Sequence, residues 1–214
     1  MSDTDTDDTV QALLERAGRT YADDAGITLK DTPSPLFELL VLSLLLSTRI
    51  SAEIAVAAAR ELFSSGYRTP EKMARASWQS LVDALGRGHY KRYDESTATR
   101  LGEAGRKVLD DYHGDLRELA EKADSDPDKA AKLLQEFTGI GPVGAEIFLR
   151  EVQSVWGWVA PRFDRRALDA AKDLGLPGDP GRLADLAGGR PEVLAAALVR
   201  ASLDDALLSA VRSG

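Results

Sequence analysis

The segment that follows Pro35, residues 36–47, constrains the fold most because it is apolar on nearly every side. A helix with apolar residues on all faces must lie in the middle of a domain, with other helices packed around it. The run is much shorter than the roughly 18 residues that a membrane span requires. We therefore interpret it as a buried helix of a protein that does not enter the membrane.

Helical spacing of apolar residues continues through the rest of the chain. One stripe falls at i, i+3, i+4 and i+7 starting from Val10, and no convincing run of alternating β-branched residues predicts a strand. Glycine and proline fall between the predicted helices. These patterns predict an all-α fold, with further helices over residues 51–63, 94–112, 165–174 and 191–210.

The net charge of −8, from 27 Lys plus Arg and 35 Asp plus Glu, is unevenly distributed. Residues 1–8 contain four Asp and no basic residue, which predicts an acidic disordered tail. Residues 86–107 carry six basic residues against three acidic ones, so a local basic face can exist on an acidic protein. A solvated helix face of mixed charge is the alternative for that stretch.

The chain contains no cysteine. This excludes a disulfide framework, a thiol nucleophile, a Cys-ligated zinc site and an iron–sulfur cluster. No His, Asp or Glu cluster has metal-ligand spacing, and the first residues lack the features of an export signal. We expect a cytoplasmic protein without a metal.

The most informative segment predicts two helices joined by a glycine turn. Asp126 followed by Pro127 is typical of a helix start, and Gly139 stands where a positive φ would end that helix. A second helix begins with Pro142, after Gly141. Its N-terminal dipole and the uncovered backbone N–H groups form a candidate phosphate site. The alternative is an ordinary tight connection in a helical bundle.

Three stretches together resemble the helix-hairpin-helix (HhH-GPD) DNA glycosylase superfamily, in its endonuclease III-like form. The sequence LQEFTGIGPVGA at residues 134–145 is followed by PRFD at residues 161–164, and residues 35–49 are similar to the buried second helix of those enzymes. Order and spacing agree over about residues 30–175. The resemblance implies a monomer with two helical domains, a groove between them for double-stranded DNA, and a base flipped out of the stack.

The resemblance also implies domain limits and contacts. Residues 31–153 would form a helical barrel domain with the hairpin, and residues 9–30 with 154–214 would form a second domain. A monovalent cation held by hairpin carbonyls is allowed, and no other cofactor is implied. The DNA contacts of the hairpin would be Gly139, Ile140, Gly141, Val143 and Gly144.

By position, Asp164 matches the catalytic aspartate of the family. A carboxylate there would oppose the positive charge that develops on the sugar as the base leaves, and it would orient the attacking water. An Asp immediately before a predicted helix is also a good N-cap. Both roles can hold together, because a cap keeps the carboxylate in place.

Departures from the family pattern favour a monofunctional enzyme. The lysine that forms a Schiff base in bifunctional relatives is replaced by Val143, and the second carboxylate of the adenine-mismatch branch is replaced by Leu42. Abasic-site cleavage through another amine, such as Lys91, is the runner-up. A non-catalytic DNA-binding or lesion-sensing module and a helical interaction protein are further alternatives.

Other candidate residues lie outside the hairpin. Arg49 stands where relatives insert a Gln into the gap left by the flipped base, although it can equally be a surface residue. Lys91 and Arg92 combine phosphate-binding charge with neighbouring aromatic residues. The residues proposed to line a base pocket are His89 and Tyr90, with core packing as their alternative, and Trp156, with anchoring of its own loop as the favoured alternative.

Overall fold

The computed structural model describes residues 3–212, with side chains from Asp5 onward, and every regular element in that range is helical. The all-α prediction is confirmed. Within the described range, no helix has the length and apolar character needed to cross a membrane. The helices are α1 (Asp3–Ala17), α2 (Tyr21–Asp24), α3 (Pro33–Leu46), α4 (Ala52–Ser64), α5 (Pro70–Arg75), α6 (Trp78–Arg87), α7 (Asp94–Tyr112), α8 (Arg117–Lys122), α9 (Pro127–Leu134), α10 (Pro142–Val152), α11 (Arg165–Asp173), α12 (Pro180–Leu186), α13 (Pro191–Ala201) and α14 (Asp205–Arg212), with a 3-10 turn at Gly157–Val159.

The chain divides into two compact units. The inner unit is Ala22–Leu149, and the terminal unit combines the residues up to Tyr21 with those from Arg150 onward. These limits differ from the predicted ones, because residues 22–30 belong to the inner unit and residues 150–153 to the terminal unit. The boundary between Leu149 and Arg150 falls inside helix α10, so no glycine, proline or loop in the sequence marks this boundary.

Helix α3 forms the core of the inner unit. Residues 36–45 are all buried, as their apolar pattern predicts, and α3 packs against α4. The two polar residues within this run both have hydrogen-bonding partners. The Ser43 hydroxyl donates to the Leu39 carbonyl at 2.8 Å, and Glu38 pairs with Arg68 at 2.8 Å. The α3 helix is therefore the buried element from which the next loop begins.

Helices α4 and α6 approach so closely that glycine is required where α6 ends. At Gly88, an added Cβ would lie 2.4 Å from the Cα and 2.6 Å from the nitrogen of Ala58. We expect Gly88→Ala to lower the free energy of unfolding by about 1–3 kcal/mol, because two backbones must separate. Urea denaturation followed by circular dichroism measures this change.

Gly86→Ala is the matched control for that prediction. A Cβ at Gly86 meets no atom within 4 Å, and alanine is favoured over glycine in a helix by up to about 1 kcal/mol. This variant should be as stable as the original protein or more so. Equal loss of stability in the two variants would contradict the described packing.

Helix α13 forms the core of the terminal unit, where residues 193–199 are all buried. It packs against α1, α11, α12 and α14. The predicted single helix over residues 191–210 is wrong, since it is divided between α13 and α14. The Asp204 carboxylate accepts hydrogen bonds from the N–H groups of Ala206 at 2.9 Å and Leu207 at 3.0 Å, which caps a new helix.

The predicted disordered tail is also wrong for residues 3–8, which lie in α1. Residues 1 and 2 fall outside the described range. A carboxylate such as that of Asp5 in the first turn of a helix favours its formation, because it opposes the positive end of the helix dipole. The same acidic composition that suggests a solvated tail therefore also suits a helix start.

Candidate functional site

The turn between α9 and α10 is closed by one backbone hydrogen bond. Ile140 N–H donates to the Phe137 carbonyl at 2.9 Å. Gly139 occupies the third position of this turn with φ of +95°, a value that favours glycine. Ile140 is 3% exposed and Phe137 is 1% exposed, so two apolar side chains anchor the turn in the core.

The tip of this hairpin presents exposed backbone. Residues 138–139 and 141–143 are exposed, and Val143 retains 66% of its accessible surface. Ala145 N–H donates to the Gly141 carbonyl at 3.0 Å. Within the described part of the chain, Val143 N–H has no backbone acceptor, as is usual in the first helical turn. The tip therefore carries an N–H group that can bind an anion.

Two of the predicted hairpin contacts are wrong. The N–H of Ile140 is engaged within the turn and its side chain is buried. Gly144 is buried as well, and a Cβ there would lie 3.1 Å from both Ile140 Cγ2 and Ser47 Cβ. These residues pack the hairpin against its unit, whereas Gly139, Gly141 and Val143 remain on the surface.

The hairpin is docked on the residue that follows α3. Ser47 Oγ lies 2.8 Å from the Leu44 carbonyl oxygen and 3.1 Å from that of Gly139, and it can donate to either. The Gly139 oxygen thus has a donor within its own unit. Because a carbonyl oxygen has two lone pairs, this contact does not block a cation, and the monovalent cation at the hairpin stays a prediction.

A buried tyrosine connects the same end of α3 to the loop before α7. Tyr90 is fully buried, its hydroxyl lies 2.8 Å from Thr48 Oγ1, and it accepts a hydrogen bond from Thr97 Oγ1 at 3.3 Å. The prediction that Tyr90 lines a base pocket is wrong, because its ring has no surface on which a base could stack. Its hydrogen bonds hold two loops together instead.

Three segments of the inner unit are thereby brought together. Ser47 holds the hairpin, and the adjacent Thr48 holds the loop around Tyr90. The exposed residues of these segments form what we call the hairpin face. They are Arg49, His89, Lys91, Arg92 and the tip residues 138–139 and 141–143.

The cations of the hairpin face are not neutralised by neighbouring carboxylates. Among the residues that the structure describes, Arg49 and Lys91 form no ion pair, and Arg92 lies over the Tyr93 ring at 5.3 Å. In contrast, Arg87 pairs with Glu61 at 3.0 Å. The positive charge of this face therefore remains available to an anion from solution.

Lys107 is a further amine beside the hairpin, with Nζ 5.6 Å from the centre of the Phe137 ring. It pairs with Asp111 at 2.6 Å and with Glu136 at 3.4 Å. The hydrogen bond to Asp111 raises the pKa of the Lys107 ammonium. Because a Schiff base requires a neutral amine, the raised pKa makes Lys107 a poor replacement for the missing hairpin lysine.

In the terminal unit, Asp164 caps α11 and also pairs with an arginine that the sequence did not predict. Oδ1 accepts from the Ala167 N–H at 2.9 Å, and Oδ2 accepts from Arg150 Nη1 at 2.5 Å. The Asp164 side chain is 11% exposed and that of Arg150 is 3% exposed. The predicted cap is confirmed, and both carboxylate oxygens are held in place.

Arg150 lies among groups that suit a buried cation. Its guanidinium is 5.6 Å from the centre of the Tyr21 ring, and its Nε is 3.7 Å from Glu151 Oε1. Arg200 covers the same ring at 4.2 Å. A charged pair within the otherwise apolar residues 147–152 is a signal that could have indicated a buried polar cluster.

The segment that leads to Asp164 is fixed by its own contacts. Gln153 Oε1 accepts from the Arg162 N–H at 2.8 Å, and Gln153 Nε2 donates to the Arg162 carbonyl at 2.9 Å. Trp156 is 3% exposed and stacks on Trp158 with ring centroids 5.3 Å apart. Trp156 is therefore not an exposed pocket wall, and its prediction as one is wrong, because stacking buries it within the loop.

Within the described residues, no group of three or more His, Cys, Asp or Glu side chains could hold a metal ion. No protein-family model matches the chain, and no curated protein is similar enough to count as a relative. The function is therefore inferred from two features, the hairpin face and the buried ion pair at Asp164.

Proposed function

We propose that the protein binds double-stranded DNA through its hairpin face and acts as a monofunctional DNA N-glycosylase in base excision repair. The observation that carries the proposal is that the exposed glycine tip shares the hairpin face with three basic residues. These residues, Arg49, Lys91 and Arg92, form no ion pair within the described chain. Two side-chain contacts, at Ser47 and Thr48, produce this convergence.

The hairpin face suits the DNA backbone better than the base edges. Backbone N–H groups and flexible basic side chains bind phosphate oxygens, which positions a protein without reading the sequence. Such a surface needs only local positive charge, so the net charge of −8 does not oppose it. Arg49, which lies two residues after the Ser47 that contacts the hairpin, would contact the duplex near the lesion.

In this proposal, Asp164 provides the catalytic carboxylate. The damaged nucleotide would leave the stack, and the carboxylate would stabilise the positive charge that forms on its sugar as the base departs. Water is the proposed nucleophile, because Val143 carries no amine and Lys107 is engaged in ion pairs with Asp111 and Glu136. Arg150 would keep the Asp164 carboxylate in one orientation.

The function is tested with duplexes that carry a uracil, an alkylated base, an oxidised base or an abasic site, beside an undamaged duplex as control. A monofunctional glycosylase should release one class of base and leave a strand that breaks only after alkali treatment. Strand cleavage without alkali would instead favour an abasic-site lyase, with exposed Lys91 as the amine to test by borohydride trapping. Absence of any product would contradict the enzyme proposal.

A non-catalytic DNA-binding or lesion-sensing module is the second candidate. The ion pair of Asp164 with buried Arg150 favours it, because both oxygens of that carboxylate already have donors. This candidate predicts binding to duplex DNA that weakens with salt but yields no product. Salt-independent binding would contradict both candidates.

A further inference from the structure

Arg100, on helix α7, lies against the hairpin turn. A Cβ added at Gly139 would be 2.7 Å from Arg100 Cδ, 3.4 Å from its Nε and 3.5 Å from its Nη1. The arginine side chain thus covers the side of the turn where any other residue would place its own side chain. The positive φ at Gly139 favours glycine, and a Cβ there would also displace the Arg100 side chain.

The charge of Arg100 is not neutralised within its unit. Its side chain is partly buried, and no carboxylate of the described residues pairs with it. Lys107, farther along the same helix, is paired with both Asp111 and Glu136. A guanidinium beside the exposed tip therefore adds a planar donor group, which can bind two phosphate oxygens at once.

We propose that Arg100 is a phosphate-binding residue for double-stranded DNA, and that it completes the anion site at the hairpin tip. This inference rests on the proposed function. The packing against Gly139 holds the stem of Arg100 in place, so less side-chain entropy is lost when a phosphodiester binds. The exposed N–H of Val143 and the Arg100 guanidinium would then contact the same strand.

Arg106 provides a matched control because it lies on the same helix and is exposed. Its guanidinium folds back over its own helix, where a Cβ at Gly102 would lie 3.6 Å from both terminal nitrogens. The two arginines have the same charge and differ in their placement relative to the hairpin. Arg100→Lys keeps the charge while removing the planar fork.

The experiment measures binding of the full chain to a fluorescent duplex by anisotropy over a range of salt concentrations. Loss of one phosphate contact should reduce the slope of log K against log salt by about 0.9. We expect Arg100→Ala to show this change with about tenfold weaker binding at low salt, Arg100→Lys to recover the slope, and Arg106→Ala to match the original protein. Circular dichroism and thermal denaturation establish that the variants are folded.

Two results would overturn the inference, and they can be told apart. Equal slopes for Arg100→Ala and Arg106→Ala, with the original protein binding DNA, would reject the role of Arg100 and leave the proposed function standing. No salt-dependent binding by the original protein would reject both. A smaller slope of log K against log salt in Arg100→Ala alone would support the inference.

Discussion

Replacement of Arg150 by Gln is expected to lower the free energy of unfolding by about 3–5 kcal/mol, the range typical for removing one partner of a buried ion pair. The Asp164 carboxylate, 11% exposed, would lose the charged donor to its Oδ2 and regain little water. The stacking of the guanidinium on Tyr21 would be lost as well. Urea denaturation at neutral pH, followed by circular dichroism, measures the change.

Arg165→Gln is the matched control, because it also removes an arginine from an ion pair with an aspartate. Arg165 lies 3.6 Å from Asp169, but its side chain is 95% exposed. Exposed pairs contribute little to stability, so no measurable change is expected. If Arg150→Gln were no more destabilising than Arg165→Gln, the buried pair would not have the role that its burial indicates.

Replacement of Asp164 by Asn is expected to lower the single-turnover rate of base release by about 10²–10⁴-fold, as loss of a catalytic acid or base commonly does. The Asn side-chain oxygen can still accept the hydrogen bond from Ala167 N–H, so the cap is preserved while the charge is lost. Binding to the lesion duplex should change less than about twofold, because phosphate contacts dominate affinity. Quenched-reaction time courses with enzyme in excess provide the measurement.

Loss of folding must be separated from loss of catalysis in that experiment, since Asp164→Asn leaves the buried Arg150 guanidinium with only the more distant Glu151 carboxylate as a partner. The double variant Arg150→Gln with Asp164→Asn removes both charges. It should regain part of the lost stability, because the two substitutions are coupled. It should remain inactive, since the carboxylate is still absent.

Equal rates of base release by the original protein and Asp164→Asn would remove Asp164 from the mechanism. A complete absence of product from both proteins, with duplex binding retained, would favour the non-catalytic module. These results distinguish the two proposed functions, because only the enzyme depends on the charge of Asp164.

The local features of this fold could be predicted from the sequence. The buried α3 helix is predicted by apolar residues on every face. The hairpin is predicted by Gly139, a helix-terminating residue, followed by Pro142, a helix-initiating one. The cap at Asp164 follows from its place before an amphipathic helix. Each depends on residues within a few positions of one another, which is the range over which periodicity and capping act.

Fewer features of the candidate site could be predicted from the sequence. The sequence predicts a base pocket lined by Tyr90 and Trp156, but both residues are buried. An aromatic residue beside glycines and basic residues has the same local pattern whether it faces a ligand or the core. Its burial is decided by distant partners, such as Thr48 for Tyr90.

The sequence alone determined where most of the helices form, that the regular elements of the described chain are helical, and that residues 139–150 of the hairpin carry glycines and no lysine. Those properties follow from backbone preferences and short-range spacing. Only the tertiary structure decided that Arg100 covers Gly139 and that buried Arg150 holds Asp164. Both contacts join different helices or loops, and the direction of a long charged side chain depends on the packing around it rather than on its neighbours in sequence.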